Sequence, residues 1–299
     1  MTTVKLFDFD ARFTKDYLRW CGKHQDIAND PNKIEKIFPV LYKRWMETPK
    51  KWLENRSPIE HFKRLNNVAA YMTLFIEYIK HDLTIPEPLL DCIVEKKDQA
   101  YPTLLNILYA KQPDDMDKDQ FDYLLTCSID LINEMEFEHP YIRYIQILSQ
   151  VEEYHDLADA LFESLKHVLF TEKNMRELLI TAYKDPSDKS MGRDCILDLL
   201  SYYECDPEII ELTLQRYAEA IPEDLPFVLT KLAELQYEGI IDLCREAMKH
   251  PGLNYVDYSG IKYIIESITG EPEPETRNFE ADPFYERLAK DEDENEVTK

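Results

Sequence analysis

The sequence predicts an all-α protein. Only 6 of its 299 residues are glycine, whereas average usage is about 7%, and the turns of all-β folds and the phosphate loops of α/β folds depend on glycine. Apolar residues recur at i, i+3, i+4 and i+7 in nearly every segment, as at Leu157, Leu161, Leu165 and Val168. This is the spacing of amphipathic helices, and no run of useful length alternates polar and apolar residues as a strand does.

Residues 1–112 are predicted to form a divergent N-terminal helical cap. The region contains all three tryptophans, and Ser57-Pro58 has the pattern of an N-cap followed by proline at the first helical position. The helices predicted here are 12–28, 33–47, 58–81, 87–96 and 102–111.

Residues 113–270 are predicted to form an array of helix pairs. The predicted helices are 117–135, 140–151, 155–169, 172–184, 190–204, 207–220, 223–236, 238–249 and 257–268. Asp206-Pro207 is a cap signal, and Gly270 is a C-cap signal for the last helix. First and second helices each recur every 31–38 residues, which is typical of an α-solenoid whose helix pairs bury their apolar faces by stacking. An irregular helical bundle with coincidental spacing is the alternative.

Three short motifs connect this pattern to a known family. Ile37-Phe38-Pro39-Val40-Leu41 is similar to the proline-kinked first helix of a HEAT repeat, and Tyr141-Ile142-Arg143 and Asn174-Met175-Arg176 resemble its hydrophobic-arginine step. Residues 30–270 thus resemble the HEAT-like, armadillo-type repeat superfamily. The resemblance implies a right-handed α-solenoid of antiparallel helix pairs and a scaffold role. The aspartate that usually precedes the step is not regularly present, and the period is shorter than the family's roughly 40–47 residues.

Charge divides the chain into two parts. Residues 1–112 carry 18 Lys and Arg against 15 Asp and Glu, whereas residues 113–299 carry 17 against 44. This asymmetry indicates an interaction protein, with a basic protein or peptide as partner of the acidic array. A net charge of −24 disfavours nucleic acid as a partner, because it repels polyanions at long range. We expect a monomer, although the basic and acidic regions of two copies also permit head-to-tail association.

Residues 271–299 form an acidic tail. They contain 11 acidic and 4 basic residues, with Pro272 and Pro274 at their start, a composition that predicts disorder. Within the tail, Asp282-Pro283 followed by Phe284, Tyr285 and Leu288 predicts a short helix. This helix either docks on the body of the same chain or is presented to a partner.

A basic and aromatic cluster is the main candidate for partner binding. Its residues are Lys43, Arg44, Trp45, Lys50, Lys51, Trp52 and Arg56, and Phe284, Tyr285 and Leu288 of the tail are added as candidate partner contacts. Three interpretations are open. The tryptophans pack inside while the lysine stems cover them, or the patch binds an acidic partner or a second copy, or it stacks on nucleic-acid bases.

The catalytic motifs that we considered are incomplete. Glu136 with His139, and Glu152 with His155, have the E-x-x-H spacing of di-iron bundles, but both pairs flank a short helix at its ends. Asp8-Phe9-Asp10 resembles the D-x-D loop of haloacid-dehalogenase-like phosphatases, yet no parallel sheet is predicted around it. Walker-type, G-x-S-x-G and H-E-x-x-H motifs are absent. We therefore predict no enzymatic activity, no catalytic residue, no cofactor and no metal.

The expected setting is the cytoplasm. The six cysteines are scattered without a C-x-x-C pair, as expected for reduced thiols. The N-terminus does not have the pattern of a signal peptide, and no apolar run approaches the roughly 20 residues that span a bilayer. The sequence thus predicts a non-enzymatic helical-repeat scaffold or adaptor that binds a basic segment of a protein partner. The alternatives are an acidic decoy that mimics nucleic acid and a helical metal-dependent enzyme.

Overall fold

The structure is a computed structural model that describes residues 5–153, 155–185, 191–279 and 282–285. The described part is helical and contains no strand, with one isolated β-bridge between Lys50 and Arg56, so the all-α prediction is confirmed. The α-helices are α1 (Phe9–Lys23), α2 (Gln25–Ala28), α3 (Pro31–Glu47), α4 (Pro58–Lys63), α5 (Val68–Lys80), α6 (Glu87–Glu95), α7 (Lys97–Tyr109), α8 (Lys118–Glu134), α9 (Tyr141–Leu148), α10 (Asp156–Val168), α11 (Met175–Tyr183), α12 (Met191–Ser201), α13 (Pro207–Glu219), α14 (Leu225–Glu234), α15 (Ile240–Ala247) and α16 (Tyr255–Thr269). Short 3-10 helices lie at Lys51–Leu53 and Pro222–Asp224.

The helices of the predicted array begin where the sequence placed them, to within three residues. First helices begin at residues 118, 156, 191 and 225, and second helices begin at 141, 175, 207 and 240. Local caps explain this agreement. The Asp117 side chain accepts a hydrogen bond from the Gln120 backbone in a capping box, and the Asp206 side chain accepts from the Glu208 and Ile209 backbones.

The N-terminal region differs more from the prediction. The single helix expected at 58–81 is two helices, α4 and α5, because Asn66 adopts a left-handed conformation (φ 41°) and Asn67 caps α5. The helix expected at 12–28 begins earlier, at Phe9, since the Asp8 side chain accepts a hydrogen bond from the Ala11 backbone. Asp8 is thus a helix cap. α7 begins at Lys97, five residues before its expected start at 102.

The chain forms two compact units, which do not divide at the charge boundary predicted near residue 112. Unit 1 comprises residues 1–144 and 154–165, and unit 2 comprises residues 145–153 and 166–299. Unit 1 contains 20 basic and 27 acidic residues, and unit 2 contains 15 and 32. The net charges are therefore −7 and −17, so unit 2 carries most of the negative charge.

Unit 1 has an aromatic core. α5 packs against α6, α7 and α8, and α4 packs against α6. Phe62, Phe75 and Tyr78 are fully buried among these helices. The Tyr78 hydroxyl donates a hydrogen bond to the Phe7 carbonyl (2.8 Å), which ties the segment before α1 to this core.

Unit 2 packs its helices in a repeating order. α12 contacts α14 and α14 contacts α16, while α11 packs on α12, α13 on α14, and α15 on α14 and α16. α12 also approaches α9 closely. The Gly192 backbone N–H donates to the Val151 carbonyl (3.0 Å), and a Cβ added at Gly192 would lie 1.9 Å from the Leu148 carbonyl oxygen. Only glycine fits there without movement of the backbone.

The first part of the acidic tail is packed on unit 2. We call residues 271–279 and 282–285 the C-terminal strap. Phe279 is 6% exposed in a cluster with Tyr258, and Glu273 forms a bidentate ion pair with Arg245 (2.9 Å for both bonds). The disorder predicted from residue 271 therefore does not describe residues 271–279, because one apolar ring and one carboxylate find partners on the body. Residues 286–299 lie outside the described part.

Candidate functional site

Trp45 of the predicted basic and aromatic cluster is a core residue. Its side chain is 7% exposed, and its Nε1–H donates to the Asp16 carboxylate (2.9 Å). The Lys50 ammonium lies 4.3 Å from the centroid of the Trp45 ring. Burial lowers the pKa of Lys50, although the Asp16 carboxylate opposes this shift. Trp45 therefore does not offer a face to a partner.

Trp52 is half-buried in a second layer of the same cluster. Its ring centroid lies 5.3 Å from that of Phe7 and 5.7 Å from that of Phe9. The Arg12 guanidinium covers it at 4.1 Å. The sequence did not single out Arg12, because 40 residues separate it from Trp52 and only the tertiary fold brings them together.

The remaining basic residues of the cluster lie at the surface. Lys43, Arg44 and Lys51 are exposed, and Arg56 is half-buried with its guanidinium 3.0 Å from the Glu54 carboxylate. The structure thus gathers Trp45, Lys50 and Trp52 into a cation–aromatic core. Partner binding by the surface lysines and arginine stays a prediction.

The tail residues are placed in part. The Tyr285 ring packs edge-on against Tyr255, with centroids 5.0 Å apart, and Phe284 is 49% exposed. Leu288 lies outside the described residues. The strap therefore packs Tyr285 against α16, while Phe284 remains half exposed.

The two E-x-x-H motifs lie at helix ends. Glu136 occupies a left-handed position (φ 57°) after α8. The His155 Nδ1 accepts a hydrogen bond from the Leu157 backbone (3.2 Å), and its Nε2 lies 3.7 Å from the Asp122 carboxylate. Burial raises the pKa of Asp122. Among the described residues, no group of three or more His, Cys, Asp or Glu side chains is arranged to hold a metal ion.

A cleft between the end of α5 and the start of α8 is the strongest candidate site. It lies within unit 1, has a volume of about 440 Å³, and we call it the acidic cleft. Its lining consists of three carboxylates, two polar side chains, two aliphatic side chains and one tyrosine: Asp82, Asp117, Asp119, Thr84, Gln120, Ile79, Leu83 and Tyr123. Clefts of roughly 300–1,000 Å³ are typical of ligand sites.

Local backbone chemistry builds the acidic cleft. After α5, Asp82 adopts a left-handed conformation (φ 50°), and the following Leu83 N–H closes the turn on the Tyr78 carbonyl (2.9 Å). On the other wall, Asp117 caps α8. The Gln120 amide links the two walls by donating to the Lys80 carbonyl (3.3 Å) and to the Asp82 carboxylate (3.0 Å).

The acidic cleft combines negative charge with an apolar surface. Asp82, Asp117 and Asp119 are exposed carboxylates, and the last two lie at the N-terminus of α8. Tyr123 is 45% exposed, and burial of its hydroxyl end, followed by its contact with Cys127, raises its pKa to about 12, so the phenol is neutral. Leu83 supplies most of the aliphatic wall, since Ile79 is 2% exposed. A lysine or arginine side chain matches this combination, with its stem on the apolar wall and its head at the carboxylates.

The sequence indicates only one of the two walls of the acidic cleft. Residues 114–119 carry four aspartates in six positions, which marks an acidic helix start. Asp82 lies 35 residues before Asp117, so its place in the same cleft depends on the packing of α5 against α8. Sequence reasoning therefore predicted an acidic array but missed Asp82 and Tyr123 as parts of one site.

The comparisons add no relative. No family model matches the chain, and no match was found among curated proteins or among solved structures. The HEAT-like resemblance of the sequence stays a prediction.

Proposed function

We propose that this protein is a non-enzymatic helical-repeat scaffold that binds a lysine- or arginine-bearing segment of a protein partner in the acidic cleft. The observation that carries the proposal is the convergence of Asp82, Asp117 and Asp119 beside the apolar wall and Tyr123. Such a site recognises both the charge and the aliphatic stem of a basic side chain, whereas a bare surface carboxylate recognises only the charge.

The scaffold part of the proposal rests on the helix-pair period. Helix pairs recur every 32–38 residues from α8 to α15, and within unit 2 each first helix contacts the next one. Both features support an α-solenoid in which residues 1–112 serve as the N-terminal cap.

The charge of unit 2 supports a basic partner. Several of its cations are held by carboxylates of the same unit, as Arg176 is by Asp206 and Glu208, and Arg216 by Asp194 and Asp224. These pairs neutralise part of the acidic excess, and the remaining carboxylates give the unit its net charge of −17. A field of this sign attracts a cationic segment and raises its association rate.

Peptide titration tests the proposal. A fluorescein-labelled tetra-arginine peptide is titrated with the full chain, and anisotropy is followed at about 50 mM and about 300 mM NaCl. We expect binding that weakens with salt, and a loss of about fivefold to tenfold in affinity for Asp119→Asn, which removes one charged acceptor.

Asp119 suits this test because it is exposed and is not the capping residue of α8. The matched control is Glu47→Gln, which removes the same charge from an exposed position outside the cleft. Equal affinities of the Asp119 and Glu47 variants would reject the acidic cleft as the site. Binding that does not respond to salt would reject the electrostatic basis.

A further inference from the structure

We propose that unit 2 contains a second ligand site of opposite polarity, a basic cleft that binds a phosphate monoester carried on a small apolar group. The cleft lies between the C-terminal end of α15 and the C-terminal strap, with a volume of about 590 Å³. Among the described residues that line it, the cations are Arg245, Lys249 and Arg277, and the one carboxylate is that of Glu273. The proposal goes beyond the binding of a basic segment by unit 1, since it concerns another unit and another ligand class.

The local charge reverses that of the surrounding unit. Unit 2 has a net charge of −17, yet the described residues that line this cleft include three cations and one carboxylate. The attraction of a basic partner by unit 2 does not explain why these cations lie together in one cleft of an acidic unit. A bound anionic ligand explains it.

Arg277 is fixed in place before any ligand arrives. Its Nη1 donates to the His250 carbonyl (2.9 Å) and its Nη2 donates to the Pro251 carbonyl (2.8 Å). The guanidinium also lies 4.9 Å from the ring of Phe279, which is buried. Each Nη carries a second hydrogen, so donors remain for an oxyanion, and a fixed side chain loses little entropy on binding one.

Arg245 already holds an oxyanion of the chain itself. Its Nε and Nη2 each donate to the Glu273 carboxylate at 2.9 Å, and the side chain of Glu273 is 13% exposed. This fork geometry matches the oxygens of a carboxylate or a phosphate equally well. Glu273 therefore partly occupies the site, and it lowers the local positive charge available to a ligand.

The walls indicate the rest of the ligand. The exposed Pro251 provides most of the apolar surface beside the cations, since Met248 is 4% exposed. A phosphate with two negative charges satisfies the charge excess better than a single carboxylate, and an apolar carrier contacts Pro251. The volume suits a small molecule.

Calorimetric titration of the full chain with phenyl phosphate tests this site. We expect saturable binding of phenyl phosphate, weaker binding of inorganic phosphate and no binding of phenol. Lys249→Gln should weaken phenyl phosphate about fivefold, because an exposed cation at the mouth is lost without a change in packing. The matched control is Lys173→Gln, which removes an exposed lysine of the same unit outside the cleft.

Glu273→Gln gives the sharpest test. Removal of the competing carboxylate should tighten phenyl phosphate binding about threefold to tenfold, whereas a purely structural pair would leave affinity unchanged or lower it. Unchanged or weaker binding by Glu273→Gln would overturn the proposal. So would equal effects of the Lys249 and Lys173 changes, or no saturable binding at phenyl phosphate concentrations up to about 10 mM. The tetra-arginine titration of unit 1 is independent of all these outcomes.

Discussion

Two sets of cations, one in each unit, are held in different ways. In unit 1, Arg12 and Lys50 lie over tryptophan rings, at 4.1 Å from Trp52 and 4.3 Å from Trp45. In unit 2, arginines of one helix donate paired hydrogen bonds to carboxylates of another segment, as Arg176 does to Asp206 at 2.7 and 2.9 Å. The difference follows from composition, since all three tryptophans lie in residues 1–112 and most of the carboxylates lie beyond them.

The contrast shows two ways of fixing neighbouring helices. A cation over a ring gains about 0.5–2 kcal/mol, tolerates several positions and leaves the cation partly hydrated. A bidentate pair between segments fixes distance and angle, and it becomes costly when one partner is removed. We therefore expect unit 2 to be the more sensitive of the two to single substitutions.

Gly192→Ala should produce the largest effect. A Cβ at this position would lie 1.9 Å from the Leu148 carbonyl oxygen, so α12 must move away from α9. We expect a loss of about 3 kcal/mol or more in the free energy of unfolding of unit 2, measured by urea denaturation.

Gly260→Ala is the matched control. Its added Cβ meets only Pro226, at 3.7 Å, and it should stabilise α16 by about 0.5–1 kcal/mol. Similar effects of the two substitutions would contradict the close approach of α12 to α9.

Lys231→Met compared with Lys50→Met tests the contrast directly. Lys231 is 7% exposed and its ammonium contacts Asp198 and Glu234, so the substitution leaves two carboxylates without their cation. We expect a loss of about 2–3 kcal/mol. Lys50→Met replaces a cation on the Trp45 ring by another apolar stem, at a cost of about 0.5–1 kcal/mol. Thermal unfolding of both variants measures the difference, and equal losses would remove the distinction between the units.

The pH dependence of the free energy of unfolding should also differ between the units, by less than the substitution effects given above. Hydrogen bonds from Arg176 hold the pKa of Asp206 below its usual range, against the opposing effect of burial. The Arg176–Asp206 pair therefore adds its full stabilising free energy above the ordinary aspartate pKa of about 4. This stabilisation is lost as the pH falls through the lowered pKa of Asp206 in the folded chain.

Arg176→Met should accordingly be less stable than the native chain by about 1 kcal/mol at pH 7, and the gap should shrink toward pH 2.5. Arg12→Met in unit 1 is the control, because its partner is an aromatic ring with no charge to titrate. Urea midpoints measured across this range give both gaps. A constant gap for Arg176→Met would show that Asp206 does not carry the effect.

The part of the fold that the sequence predicted depends mostly on local signals. Helix starts depend on residues within three or four positions, such as Asp117 with Gln120 or Asp206 with Pro207, and these are visible in the sequence. The break between α4 and α5 was missed because Asn66 in a left-handed conformation has no obligatory sequence signal.

The site depended on contacts that the sequence does not display. Asp82 joins Asp117 only through the packing of α5 on α8, and Lys231 finds Asp198 across 33 residues. The scarcity of glycine predicted helices, but the need for glycine at 192 arises from a carbonyl oxygen of another helix. The hydrophobic period of a helix depends on residues that are near in sequence, whereas the partner of a side chain in another helix depends on how the helices pack.

The C-terminal strap determines where unit 2 can be cut. A fragment that stops at Gly270, the C-cap of α16, would lose Phe279 and uncover the Tyr258 ring against which Phe279 packs at 4.8 Å. It would also lose the Asp282 carboxylate, which accepts a hydrogen bond from the Tyr255 backbone (2.9 Å) at the start of α16. A fragment of this unit that keeps both contacts must therefore extend at least to Asp282, and a protease that cleaves the strap would weaken α16 before any other helix.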